Sequence, residues 1–146
     1  MNYQTEPLTM WFDRRLIMRK SPIHNIGTFA THDIDAGELL MVVTGGILVT
    51  REVRQSGTLI VEPSLYNEET LAEDLFIITP KVFHYYLNHS CEENAIDLTR
   101  SANSTQYVAT RYIHANEEIT INGYDPSTLD KCNCGSPKCR WVKGEK

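Results

Sequence analysis

Tyr86-Leu87-Asn88-His89-Ser90-Cys91-Glu92-Glu93-Asn94 contains the one cysteine that lies outside the tail. The other three crowd into Cys132-Asn133-Cys134-Gly135-Ser136-Pro137-Lys138-Cys139. A Cys-x-Cys pair lets two thiolates approach one ion from adjacent positions, and Gly135 and Pro137 supply the turn that brings the third around. A tetrahedral structural zinc site takes four such ligands, and Cys91 is the remaining cysteine. Zinc would hold each sulfur as thiolate. Two other readings stay open: disulfides, and free buried thiols in an unstructured tail. Disulfides suit a reducing compartment poorly, and two cysteines separated by one residue rarely bridge each other. Under the zinc reading, a tail too short to own a core is folded by the metal against the body near Cys91.

Outward from this stretch, the chain reads as one domain of short strands. Apolar runs recur at Leu16 to Met18, Leu39 to Val43, Ile47 to Val49, Thr58 to Val61, Leu75 to Ile78, Tyr107 to Val108 and Ile119 to Ile121. Several are rich in β-branched residues and bounded by Gly, Pro, Asn or Asp, as strands and turns are. Ala95-Ile96-Asp97-Leu98 alternates like a half-buried strand. Helical signal is sparse: Thr50 is placed to cap a turn or two through Gln55, and Pro63 to Leu71 reads as a second short helix. No repeat or low-complexity tract divides the 146 residues, which suffice for a single core.

Fourteen basic against nineteen acidic side chains give a net charge of −5. That balance builds no basic stripe for a phosphate backbone, so direct nucleic-acid binding is not expected. An acidic surface suits a lysine-rich partner, and solubility explains it equally well. Met1 to Leu8 shows no signal-peptide pattern, and Leu39 to Val43 is far short of the roughly 20 residues a bilayer needs. The expectation is a soluble intracellular protein, cytoplasmic or nuclear, with no membrane role.

Four segments together resemble one family. Leu87-Asn88-His89-Ser90-Cys91 and Asn94 are similar to the central motif of the SET domain, and Glu117-Glu118-Ile119-Thr120-Ile121-Asn122-Gly123-Tyr124 to its partner motif. His24-Asn25-Ile26-Gly27-Thr28-Phe29-Ala30 resembles the opening strand with its Gly-x-Gly turn, and the cysteine tail through Arg140 resembles the post-SET zinc element. They occur in the family's order and span most of the chain from about Arg15 to Arg140. The organisation this implies is an N-terminal segment 1–14, a SET domain 15–126 and a post-SET tail 127–146.

The resemblance implies a mainly β fold of several small sheets with few short helices. In it, Asn88 to Cys91 would thread beneath the loop after Thr120 as a pseudoknot, and the tail would close on zinc held by Cys91, Cys132, Cys134 and Cys139. It implies a protein-lysine N-methyltransferase using S-adenosylmethionine. The turn at His24, Asn25, Ile26 and Gly27 would offer backbone groups to the amino-acid end of that cofactor. Asn88 and the backbone of His89 would contact its nucleoside, and Trp141 would add an aromatic wall. Tyr124 would be the catalytic hydroxyl, with Tyr85 and Tyr86 as walls of the lysine channel. The partner would be a lysine-bearing protein, among which a basic protein such as a histone is one candidate.

The sequence departs from the family pattern at several positions. Asn25 stands for the first glycine of the turn, and asparagine tolerates left-handed backbone better than most residues. Val43 stands where many members carry a second tyrosine, Glu93 replaces the usual proline, and Tyr124 falls four residues after Thr120 where three is usual. A one-residue bulge would restore the aim of Tyr124. These departures keep a second reading in view, a catalytically weak SET-like module that binds a lysine-bearing segment. A zinc hydrolase is disfavoured, because four cysteine ligands leave no open position. Glu117 and Glu118 read as a solvated turn.

Overall fold

The computed structural model describes residues 3–59, 61–101, 104–123 and 131–141. Among these residues ten strands follow one another: β1 (Tyr3–Phe12), β2 (Leu16–Lys20), β3 (Ile26–Ala30), β4 (Leu39–Thr50), β5 (Tyr66–Ala72), β6 (Leu75–Pro80), β7 (Asn88–His89), β8 (Ala95–Ser101), β9 (Ser104–Ala109) and β10 (Glu118–Ile121). One helix, α1 (Arg51–Ser56), lies between β4 and β5, and a 3-10 turn, Phe83–Tyr86, leads into β7. The protein is mainly β, as its short β-branched runs imply.

The long strand β4 is the spine of the larger sheet. β1 lies antiparallel along one side of it, from Tyr3 opposite Val49 to Phe12 opposite Met41. The other side is shared: β9 pairs with Leu39 to Thr44, and β6 pairs with Ile47 to Thr50. Between those halves sit Gly45 (φ 86°) and Gly46 (φ 140°). A Cβ on Gly46 would lie 2.8 Å from the carbonyl oxygen of Ile78, so β6 approaches there only because the position is glycine.

The smaller sheet runs β2-β3-β10-β7. Its last pairing is parallel, with Thr120 opposite Asn88 and Ile121 opposite His89. The Ser90 N–H then donates to the Ile121 carbonyl at 3.0 Å, extending that contact into the Asn-His-Ser-Cys stretch. Leu16, Ala30, Ile34, Leu40, Met41 and Ile119 form the centre of one buried core beneath both sheets. Val49, Val53 and Ile78 form a second, smaller cluster under α1.

α1 starts as the sequence implies: the Thr50 hydroxyl accepts from the Val53 N–H, a side-chain N-cap. Gly57, left-handed at φ 74°, ends it. Two expectations fail nearby. Thr58 to Val61 is not a strand among its described residues; the chain turns at Gly57, and Leu59 and Val61 pack on the second cluster. Pro63 to Leu71 is not a helix. Residues 66–72 are β5, paired to β6 from Tyr66 opposite Pro80 to Ala72 opposite Leu75. The free edge of β6 supplies ladder hydrogen bonds, and these override the local preference of a glutamate-rich segment.

A candidate cofactor cavity and four-cysteine centre

The His24–Gly27 turn is closed by the Ser21 N–H, which donates to the Asn25 carbonyl at 2.8 Å. Asn25 takes φ 41°, so asparagine adopts the left-handed backbone that this turn requires. Asn88 reaches the turn from β7: its Nδ2 lies 3.0 Å from the His24 carbonyl oxygen and 3.2 Å from that of Ile26. The turn and the Asn-His-Ser-Cys stretch, far apart in sequence, are thus one polar unit.

A cavity of about 530 Å³ opens beside that unit, within the size range of small-molecule sites. Its walls are the turn Ile23–Ile26, the segment Tyr85–His89 and the tail residues Lys131, Cys132 and Asn133. Of the residues read from sequence as cofactor-binding, His24, Asn25, Ile26, Asn88 and His89 line it. Gly27 is next in the chain, under the Glu118 carboxylate. Trp141 is not among the lining residues; its ring meets the His89 ring edge-on, with centroids 5.6 Å apart. Tyr85 and Tyr86 form part of the wall of this cavity. Val43 is buried in β4, opposite Met10 and Thr105. Tyr124 lies outside the described residues.

His89 is buried, with Nε2 3.4 Å from Cys91 Sγ. Burial, and then the nearby Arg140 charge, hold its imidazole below the usual histidine pKa. Its ring thus meets Cys91 and Trp141, while the residue also lines the cavity.

Cys91, Cys132, Cys134 and Cys139 bring their Sγ atoms within 4.8 Å of one another. The Cys91 and Cys139 sulfurs stand 4.0 Å apart, and all four thiols are free of disulfides. Tetrahedral zinc with bonds of about 2.3 Å needs sulfurs about 3.8 Å apart, so the cluster has the ligand count and spacing of such a site. Burial pushes the Cys132 thiol up to about 12. Burial also raises Cys134, but the Cys91 and Ser136 backbone N–H groups and the neighbouring thiols outweigh it and bring it down to about 7. One thiolate in such a crowd raises its neighbours, and a dication relieves that repulsion.

The tail is also tied to the body by side chains. Glu92 accepts from the Ser136 hydroxyl and pairs with Lys138 Nζ at 3.2 Å. Asn133 Nδ2 reaches the Ile23 carbonyl at 3.5 Å, and Arg140 donates to Asn122 Oδ1 at 3.1 Å. Because Cys132 belongs to both the sulfur cluster and the cavity wall, the centre shapes one side of the cavity.

Two residues read as a solvated turn are engaged. Glu117 accepts from Asn94 Nδ2 at 3.3 Å and from the His114 N–H at 3.0 Å. Glu118 accepts from Asn88 Nδ2 at 2.8 Å and from the Ser21 hydroxyl. Nothing in the local sequence marks the role of Glu118, since Ser21 and Asn88 come from distant segments, whereas Glu117 joins the nearby His114 N–H to the distant Asn94.

Residues 25–122 match the SET domain family. The chain is 31% identical to the histone-lysine N-methyltransferase TRX1 of Oryza sativa subsp. japonica, over 90% of its own length and 14% of that relative. It is 29% identical to the H3 lysine-4 specific histone-lysine N-methyltransferase of Schizosaccharomyces pombe, covering 87% of the chain and 15% of the relative. For histone-lysine N-methyltransferase 2B of Homo sapiens the identity is 28%, over 83% and 5%. The chain therefore spans a small part of each of these relatives. The match across residues 25–122, on the turn, the Asn-His-Ser-Cys stretch and β10 just described, identifies the chain as a member of the SET-domain family.

Proposed function

We propose that this protein is an S-adenosylmethionine-dependent protein-lysine N-methyltransferase. The observation that supports the reading most is the cavity bounded by the His24–Gly27 turn, Asn88, His89 and the tail, in a chain of the SET-domain family. Adenosylmethionine supplies a methyl group on a sulfonium, and the chain's own residues do the rest. The turn carbonyls hold the amino-acid end, and Asn88, expected from sequence to contact the nucleoside, is assigned instead to that end because its amide is bonded at the turn. The His89 backbone and the tail, with Trp141 behind it, take the nucleoside. Cys91, Cys132, Cys134 and Cys139 would hold a structural zinc that keeps the tail folded as a wall.

The acceptor is a lysine amine, which with a pKa near 10.4 must lose its proton before it can attack. A dry channel and a neighbouring positive charge both favour the neutral amine. Positioning then does most of the work, with donor and acceptor atoms in line. We assign the orienting hydroxyl to Tyr124. The substrate would be a lysine-bearing, basic protein, with histones the first class to try because the relatives' names specify them. A reducing intracellular compartment suits four free thiols.

Titration calorimetry tests the cofactor half of this reading. Adenosylmethionine should bind the parent protein, and Asn88→Ala should weaken it by about 1–2 kcal/mol with the fold intact, the loss of an oriented polar contact. Equal affinity in the two proteins would place the cofactor elsewhere.

A further inference from the structure

We infer that Glu118 is a positioning residue that sets Asn88 to receive the ammonium of the bound ligand, an inference that rests on the adenosylmethionine reading of the cavity. Glu118 opens β10, opposite Phe29 of β3, and its side chain passes over Gly27. A Cβ at Gly27 would collide with Glu118 Oε1, so the carboxylate occupies the room that glycine leaves. The Ser21 hydroxyl lies 2.9 and 2.8 Å from its two oxygens. That same hydroxyl accepts from the Ile23 N–H at 2.9 Å, which couples the carboxylate to the start of the turn.

Asn88 Nδ2 faces three oxygens, those of His24, Ile26 and Glu118, at 3.0, 3.2 and 2.8 Å. An amide nitrogen has two hydrogens, so it is saturated here. Rotating the amide by half a turn would set its own oxygen against three others, one of them charged. The carboxylate, at the shortest of the three distances, therefore acts with the two carbonyls to fix which end of the amide is which, and Oδ1 is left as the acceptor that Asn88 offers at the cavity wall it lines. Two carbonyls, this Oδ1 and a carboxylate behind them make the turn end of the cavity an acceptor-rich, negative corner. Such a corner selects an ammonium over an adenine edge, which presents acceptors as well as donors.

The test compares two ligands: S-adenosylhomocysteine, which carries the ammonium, and 5′-methylthioadenosine, which lacks the whole amino-acid end. In Glu118→Ala, affinity for adenosylhomocysteine should fall about tenfold or more while that for methylthioadenosine changes by less than about twofold. Glu118→Gln keeps an oxygen for the Asn88 amide and should recover most of the loss. Ser21→Ala, a small change expected to fold normally, should lose a few-fold, on the order of one weak hydrogen bond, again for adenosylhomocysteine alone. Equal losses for both ligands in Glu118→Ala would mean a general disturbance of the cavity and would overturn the inference. So would unchanged adenosylhomocysteine affinity, which would leave the cofactor reading standing. If Glu118→Ala does not fold, a Ser21→Ala variant without the ligand preference overturns it as well. A parent protein that binds neither ligand removes the cofactor reading and this inference together.

Discussion

The Thr120 N–H donates to Asn94 Oδ1 at 2.9 Å, and the Asn94 N–H donates to the Thr120 carbonyl at 3.2 Å. Two residues from distant segments thus exchange bonds where the Asn-His-Ser-Cys stretch passes β10. Asn94 is 1% exposed, and its Nδ2 also donates to the Glu118 carbonyl at 2.7 Å. The side chain acts as a buried piece of ladder that locks β10 to the segment after Cys91.

Asn94→Ala should therefore destabilise the protein by about 2–4 kcal/mol, because it strands a buried N–H and a buried carbonyl without partners. Denaturant unfolding checks this. A cost below about 1 kcal/mol would mean that water replaces the amide without penalty.

The reduced protein is expected to carry one zinc ion per chain, and a strong chelator should lower its melting temperature. Cys139→Ser should do the same, since that sulfur is 2% exposed and an alcohol is a poor zinc ligand. Metal analysis and thermal melts decide it. Protein that is reduced and zinc-free, with an unchanged melt, would refute the centre.

The sulfur cluster and the strand pairings differ in how far the sequence discloses them. The sulfur cluster is readable because spacing and ligand count are local properties of residues 132–139, needing only one outside partner. The start of α1 is readable for the same reason, since the Thr50 cap is contained within a single turn. β5 is not readable as a strand: Tyr66-Asn67-Glu68-Glu69-Thr70-Leu71-Ala72 is largely exposed, so no alternation survives, and only pairing to β6 makes it extended. β1 is hidden similarly, with Pro7 falling at a register shift between Glu6 and Thr9. Glu118 is hidden because its role depends on Ser21, Gly27 and Asn88, none of which is near it in sequence.

His84 gives a prediction about pH. Both of its ring nitrogens are buried without a hydrogen-bond partner among the described residues, and the ring stacks on Phe12 with centroids 6.5 Å apart. Burial pulls its pKa down to about 4 from 6.5. The folded protein thus holds His84 neutral where the unfolded chain would protonate it, and protons favour unfolding between those values. The contribution is fully present above about pH 6.5 and is lost as pH falls toward 4. His84→Phe should flatten the stability profile across that window, measured by unfolding at several pH values. A parallel profile in the variant would assign the acid sensitivity to carboxylates instead.

Tyr124→Phe keeps the ring and removes the hydroxyl. If that hydroxyl orients the lysine amine, methyl transfer should fall by about a hundredfold or more while adenosylmethionine affinity holds, the pattern of an interaction made in the transition state. Single-turnover rates beside calorimetry separate the two quantities. Full activity in the variant would assign orientation to another group.

The most direct measurement is methyl transfer itself. The reduced, zinc-loaded protein is incubated with methyl-labelled adenosylmethionine and a panel of basic proteins that includes histones, and the products are read by mass spectrometry. Label is expected on a lysine side chain, in amounts that rise with added protein and vanish when adenosylhomocysteine fills the cavity. Tight binding of adenosylmethionine with no labelled lysine in any basic protein would contradict it, and would leave a lysine-binding SET module in its place.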